Sequence, residues 1–135
     1  MSNLGNQNKP SRIWVVDDDP IFHLMLKKQV EMRFNALVER EFYEGKNALA
    51  AVFAAKMDEL PQFIFLDLHM PILDGWSFLH ALKEARPEEN WPFKVVVFSS
   101  TQNPDDFVRV SEFKTIAGFM NKRLDANQLD GVIRN

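Results

Sequence analysis

The chain has 135 residues, 46% of them hydrophobic with 12 phenylalanines, enough for one substantial core and little room for a second domain. It has no cysteine, which excludes disulfide scaffolds, thiolate metal sites and cysteine nucleophiles. A formal charge of −3 with scattered cations lacks the basic stripe of a nucleic-acid surface, and no apolar run approaches the roughly 18 residues of a membrane span. Neither nucleic-acid nor membrane binding is therefore expected. Met1 to Pro10 is polar and unlike a signal peptide. It is expected to be a short disordered leader (1–10) before a single unit over residues 11–135. Composition points to a soluble, globular, cytoplasmic protein.

Ile13 to Val16 (IWVV) is a β-branched and aromatic run that stops at three aspartates. Asp19 and Pro20 then supply an N-cap and a first-turn proline. From Ile21 to about Arg33, Phe22, Leu26 and Val30 recur on one helical face. A weaker strand over Leu37 to Phe42 precedes an alanine-rich helix through Ala48 to Lys56. Phe63 to Leu66 (FIFL) is continuously apolar, as expected of a strand covered on both faces. Gly75 opens a third helix carrying Trp76, Leu79 and Leu82. Lys94 to Phe98 is another buried strand, and Pro104, Asp105 and Asp106 start a fourth helix with acids at its positive dipole end. Ala117 to Met120 predicts a fifth strand, and a last helix begins near Asp125.

Five alternating strand–helix units predict an α/β domain with a doubly wound parallel sheet and right-handed crossovers. Ligands of such sheets bind beyond the carboxyl ends of the strands. Those ends carry Asp17, Asp18 and Asp19, then Asp67, then Ser99 and Ser100, and finally Lys122. Carboxylates sharing a crevice raise one another's pKa unless they are neutralised. Mg²⁺ suits a site of few carboxylates completed by waters and phosphate oxygens. With the Lys122 ammonium and the Ser99 hydroxyl, the set describes a phosphoryl-transfer site, where catalysis is mostly positioning and charge stabilisation.

The motifs VVDDDP (Val15–Pro20), FLDLHMPILDGW (Phe65–Trp76), VVVFSS (Val95–Ser100) and GFMNK (Gly118–Lys122) resemble those of receiver domains of bacterial-type two-component response regulators. The resemblance covers residues 11 to 134. It implies a flavodoxin-like (βα)5 fold of strand order 2-1-3-4-5. It implies Asp67 as phosphoacceptor, and Mg²⁺ held by Asp18 directly, by Asp17 mainly through water, by Asp67 and by the backbone carbonyl of His69. Ser99 and Lys122 would contact the phosphoryl group, and Ser99 and Phe119 would form the switch. A histidine kinase or histidine phosphotransfer protein is the implied donor. The implied listeners are a downstream protein or, after phosphorylation, a second copy of the chain as a homodimer. The domain would catalyse only its own phosphorylation and dephosphorylation and would not otherwise be an enzyme. Arg123 stands where the family usually has proline, often after a cis bond. A cis bond before a non-proline residue costs about 2.5–4 kcal/mol, so a trans bond is expected.

Some neighbours have plainer readings. Asp19 is an N-cap, Ser100 a loop residue, and Asp74 and Gly75 a turn that opens a helix. His69 is a loop side chain at the mouth of the site, and His23 and His80 are surface or packing residues. Trp14 and Trp76 belong to the core. An aspartyl-phosphate phosphatase of the haloacid-dehalogenase type would need a second Asp where His69 stands, plus a cap domain. An FMN-binding flavodoxin would need a Ser/Thr/Gly-rich loop in place of DDDP. A degenerate receiver acting as a phosphorylation-independent interaction module is the remaining alternative. The chain ends as its last helix finishes, which fits a stand-alone regulator or a piece of a larger one.

Overall fold

Parallel strands at the centre of the sheet need apolar side chains on both faces, and the β-branched and aromatic runs provide them. In a computed structural model describing residues 9–101 and 103–134, the strands are β1 (Ser11–Val16), β2 (Ala36–Phe42), β3 (Phe63–Asp67), β4 (Lys94–Ser99) and β5 (Ile116–Asn121). They form one parallel sheet of order β2-β1-β3-β4-β5. The helices are α1 (Pro20–Arg33), α2 (Gly45–Ala54), α3 (Gly75–Ala85), α4 (Pro104–Val110) and α5 (Ala126–Ile133). The leader expected over residues 1–10 lies outside the described residues as far as residue 8.

Alternation along the strands divides the core in two. Ile13, Val15, Phe63, Phe65, Val96 and Phe98 face α1 and α5, meeting Phe22, Leu26, Val30 and Leu129. Trp14, Val16, Ile64, Leu66, Val95 and Val97 face α2 and α3, meeting Val52, Phe78, Leu79 and Leu82. The β3 and β4 strands each run one residue beyond the expected run, so Asp67 and Ser99 are their last residues. Helix α2 stops at Ala54 rather than Lys56, because Ala55 is extended and the Lys56 N–H donates to Glu59 in a following 3₁₀ turn, Met57–Glu59.

The caps follow local chemistry. Asp19, Asp74 and Asp125 accept from the backbone N–H groups of Ile21, Ser77 and Asn127. Gly75 permits the approach of α3 to the end of β3, because a Cβ there would lie 2.6 Å from the Asp67 carbonyl oxygen. Between β3 and α3, the Leu73 N–H donates to the Pro71 carbonyl at 2.8 Å, closing a γ-turn around Ile72 at φ 72°. A β-branched residue is strained there, and Ile72 is 98% exposed, so no packing compensates. Ile72→Gly is expected to raise stability by about 1 kcal/mol, read by urea unfolding. An unchanged or lower midpoint would show that the turn carries no strain.

Candidate functional site

Three carboxylates meet at the carboxyl edge of the sheet. Asp17 follows β1, Asp18 is next in the β1–α1 turn, and Asp67 ends β3. One oxygen from each lies within 4.8 Å of the others, with Asp17 and Asp67 buried and Asp18 exposed. Lys122, just past β5, reaches in with Nζ 2.8 Å from Asp17 Oδ2 and 3.4 Å from Asp67 Oδ2. Its ammonium also lies over the Phe22 ring, 4.9 Å from the centroid. Its backbone N–H donates to the Ser99 carbonyl at 3.1 Å, which extends the β4–β5 ladder and fixes where the side chain starts.

Burial dominates the electrostatics. It pushes the Asp67 carboxyl up to about 6, and the neighbouring Asp17 charge adds to the rise, while the His69 N–H bond and Lys122 oppose it. Asp17 is also raised by burial, against the opposing pull of Lys122. Burial works against the Lys122 ammonium, but the two aspartates outweigh it and its pKa rises. One cation thus faces two buried anions and a third at the surface.

That imbalance suits a divalent cation. Asp17 Oδ2 is buried and accepts no well-directed hydrogen bond, and its contact with Lys122 is one of charge rather than alignment. Asp17 Oδ1 accepts from the Asp19 N–H at 2.8 Å, and Asp67 Oδ1 accepts from the His69 N–H at 3.0 Å. An all-oxygen donor set in which two buried carboxylates and one exposed one share a single ammonium fits Mg²⁺.

The remaining candidates are placed as follows. Ser99 is buried at the end of β4, and its hydroxyl donates to the Thr101 carbonyl and accepts from the Thr101 N–H. Its hydrogen bonds are thus spent within its own loop. Phe119 is half-buried on β5, its ring 4.6 Å from that of Phe107 on α4. No cis peptide bond occurs among the described residues, so Arg123 follows a trans bond. Asn121 Oδ1 accepts from the Arg123 N–H at 2.9 Å, and Leu124 turns the chain at φ 60°. His80 is exposed, and Trp14 and Trp76 are core.

Two side chains have tertiary partners that the sequence reading did not name. His23 is buried, with Nε2 2.7 Å from the Asp17 carbonyl oxygen and Nδ1 3.0 Å from Glu41 Oε1. The signal was present, because His23, Leu26 and Val30 lie at i, i+3 and i+7 on one face. Asp106, expected only to complement the helix dipole, is buried and accepts from the Trp76 indole N–H at 2.9 Å, tying α4 to α3. The exposed His69 ring lies 3.9 Å from its other oxygen. Only tertiary contact reveals that pairing.

Residues 13–134 match the family model for the response regulator receiver domain. The chain is 27% identical over 126 residues to the nitrate/nitrite response regulator protein NarL of Escherichia coli K12, covering 93% of this chain and 54% of NarL. The chain therefore spans about half the length of that relative. Its fold resembles a two-component response regulator from Cytophaga hutchinsonii, with TM-score 0.81, 22% identity, and coverage of 93% and 96% of the two chains. It also resembles RcsB of Salmonella enterica serovar Typhimurium, solved on promoter DNA with the phosphomimetic BeF₃⁻, with TM-score 0.74, 20% identity, and coverage of 92% and 96%. The match over nearly all of the chain, together with the strand order, makes this protein a member of the response regulator receiver domain family.

Proposed function

We propose that residues 11–135 form a cytoplasmic phosphoacceptor unit, which takes a phosphoryl group from a histidine kinase or histidine phosphotransfer protein onto Asp67. The observation that carries the reading is the Lys122 ammonium shared by two buried carboxylates, Asp17 and Asp67, at 2.8 and 3.4 Å. With its carboxyl at about 6, Asp67 is mostly ionised near neutral pH and is a competent nucleophile. Its oxygen forms the new bond to phosphorus as the phosphorus–nitrogen bond of a phosphohistidine donor breaks. The donor imidazole leaves with that electron pair. The Asp67 carboxylate is oriented by the His69 N–H on Oδ1, and Lys122 is placed to follow the negative charge as it moves onto the phosphoryl oxygens. Mg²⁺, held by Asp18, Asp67 and the His69 carbonyl with Asp17 acting through water, would neutralise the crowded acids and the phosphoryl oxygens.

The phosphoryl group adds about 1.5 to 2 negative charges at Asp67. The Ser99 hydroxyl then has reason to leave Thr101 for a phosphoryl oxygen, opening space behind it. Phe119, in contact with Phe107, is placed to fill that space and to carry the change into the α4–β5–α5 face. A protein partner or a second copy of the chain would recognise that face. Apart from this self-directed chemistry, the domain is not an enzyme.

With Mg²⁺ and acetyl phosphate, the intact mass is expected to rise by one phosphoryl group, and Asp67→Asn is expected to take none. Equal labelling of the variant would overturn the assignment. No labelling of the wild type, and no beryllofluoride binding with Mg²⁺, would favour the phosphorylation-independent module.

A further inference from the structure

We propose that His23 is a positioning residue for the acidic pair, donating to the Asp17 carbonyl from α1 while anchored on Glu41 of β2. The proposal rests on the Mg²⁺-dependent phosphoacceptor reading above and assigns a role that the site residues alone do not explain.

The backbone of Asp17 is pinned at both ends. Its N–H donates to the Phe42 carbonyl at 3.0 Å, the last rung that β2 offers. Its carbonyl would then be an orphaned acceptor in the interior, and such a group costs about 1–3 kcal/mol unpaired. The His23 ring meets it, with Nε2 at 2.7 Å. A carbonyl only accepts, so Nε2 carries a proton and donates. The opposite ring nitrogen, Nδ1, lies 3.0 Å from Glu41 Oε1, and because a carboxylate also only accepts, Nδ1 donates to it in the imidazolium form. Tyr43 stacks on the ring with centroids 4.2 Å apart and 30° between the planes. The imidazole is 1% exposed and cannot rotate without breaking one of these contacts.

The consequence follows from peptide planarity. The Asp17 carbonyl and the Asp18 N–H share one rigid plane. Holding that carbonyl sets the direction in which the chain enters Asp18, and hence where its carboxylate stands. On the Asp17 side chain, Oδ1 is taken by the Asp19 N–H at 2.8 Å. With N–H, C=O and Oδ1 all committed, Asp17 presents only Oδ2 to the site. Glu41 and Tyr43 are partly exposed on the sheet's edge region, so the same clamp ties the acidic turn to β2.

Calorimetric titration of the full chain with Mg²⁺ alone tests this, comparing wild type, His23→Leu and His23→Gln, with thermal midpoints and metal-free amide spectra recorded for each. His23→Leu fills similar space without a donor and is expected to weaken Mg²⁺ binding about 10-fold, as loss of an orienting partner does elsewhere. Its Asp18 amide resonance should shift before metal is added. His23→Gln keeps an N–H that can reach the carbonyl and is expected to recover most of the affinity, even where its thermal midpoint stays as low as that of His23→Leu. Two results overturn the proposal while leaving the site reading intact: wild-type affinity in folded His23→Leu, or His23→Gln binding as weakly as His23→Leu. A wild type that binds no Mg²⁺, with Asp18→Ala identical to it, overturns the site reading and this proposal together.

Discussion

Lys122→Met is expected to lower the stability of the metal-free protein by about 3 kcal/mol at pH 8, the low end of the cost of breaking a buried ion pair. Methionine keeps most of the length of the side chain and its contact with the Phe22 ring, so the change isolates the charge. What remains is Asp17 at 0% and Asp67 at 2% exposure with no cation between them. The loss should shrink at pH 5. Without the ammonium, the Asp67 carboxyl, already pushed to about 6, rises further and is protonated in the fold at a pH where the unfolded chain is ionised. The folded variant then binds more protons than the unfolded chain, so its stability falls as pH rises through that window. The Lys122 ammonium, raised by its acids, is fully charged at both pH values and adds no pH dependence of its own. Urea unfolding at the two pH values reads the difference. A loss below about 1 kcal/mol, or one equal at pH 5 and pH 8, would mean that the lysine does not compensate the aspartates.

The parts legible in the sequence are those governed by local rules. Continuous apolar runs marked the central strands, and aspartates marked the helix starts at Asp19, Asp74 and Asp125, with Pro20 and Gly75 beside the first two. The acids, Ser99 and Lys122 could be assigned to one edge because a parallel sheet gathers its strand ends there. What escaped depends on side chains crossing between elements. Asp106 sits where first-turn acids usually face water, and only the packing of α4 on α3 turns it onto Trp76. His23 lay on the inward stripe, but periodicity alone does not say that a buried histidine will end on the Asp17 carbonyl. The Ser99 hydroxyl was expected at a phosphoryl group, and in the fold it bonds to the backbone groups of Thr101.

Asp67→Asn should act in the opposite direction to Lys122→Met. Holding a carboxyl at about 6 rather than the ordinary 3.8 makes its ionised form about 3 kcal/mol costlier in the fold than in the unfolded chain, at 1.36 kcal/mol per tenfold. That penalty is absent below about pH 4, grows as pH rises, and is complete above about pH 6. Asparagine removes it while keeping an oxygen for the His69 N–H. The value of about 6 already includes the attraction of Lys122, which lies 3.4 Å from Asp67 and keeps its closer partner, Asp17, at 2.8 Å. The metal-free variant is therefore expected to be about 1–3 kcal/mol more stable than wild type at pH 8, and equal to it near pH 4. Mg²⁺ should reverse the order. A ligand at 100 times its dissociation constant stabilises the protein that binds it by about 2.7 kcal/mol, and removing one of three carboxylates weakens that binding. Titrating Mg²⁺ at pH 8 while following the unfolding midpoints should make the two curves cross, with the variant higher at the start and the wild type higher at saturation. A gain that persists unchanged at pH 4, or curves that stay parallel as Mg²⁺ is added, would mean that Asp67 carries neither the strained charge nor the metal contact assigned to it.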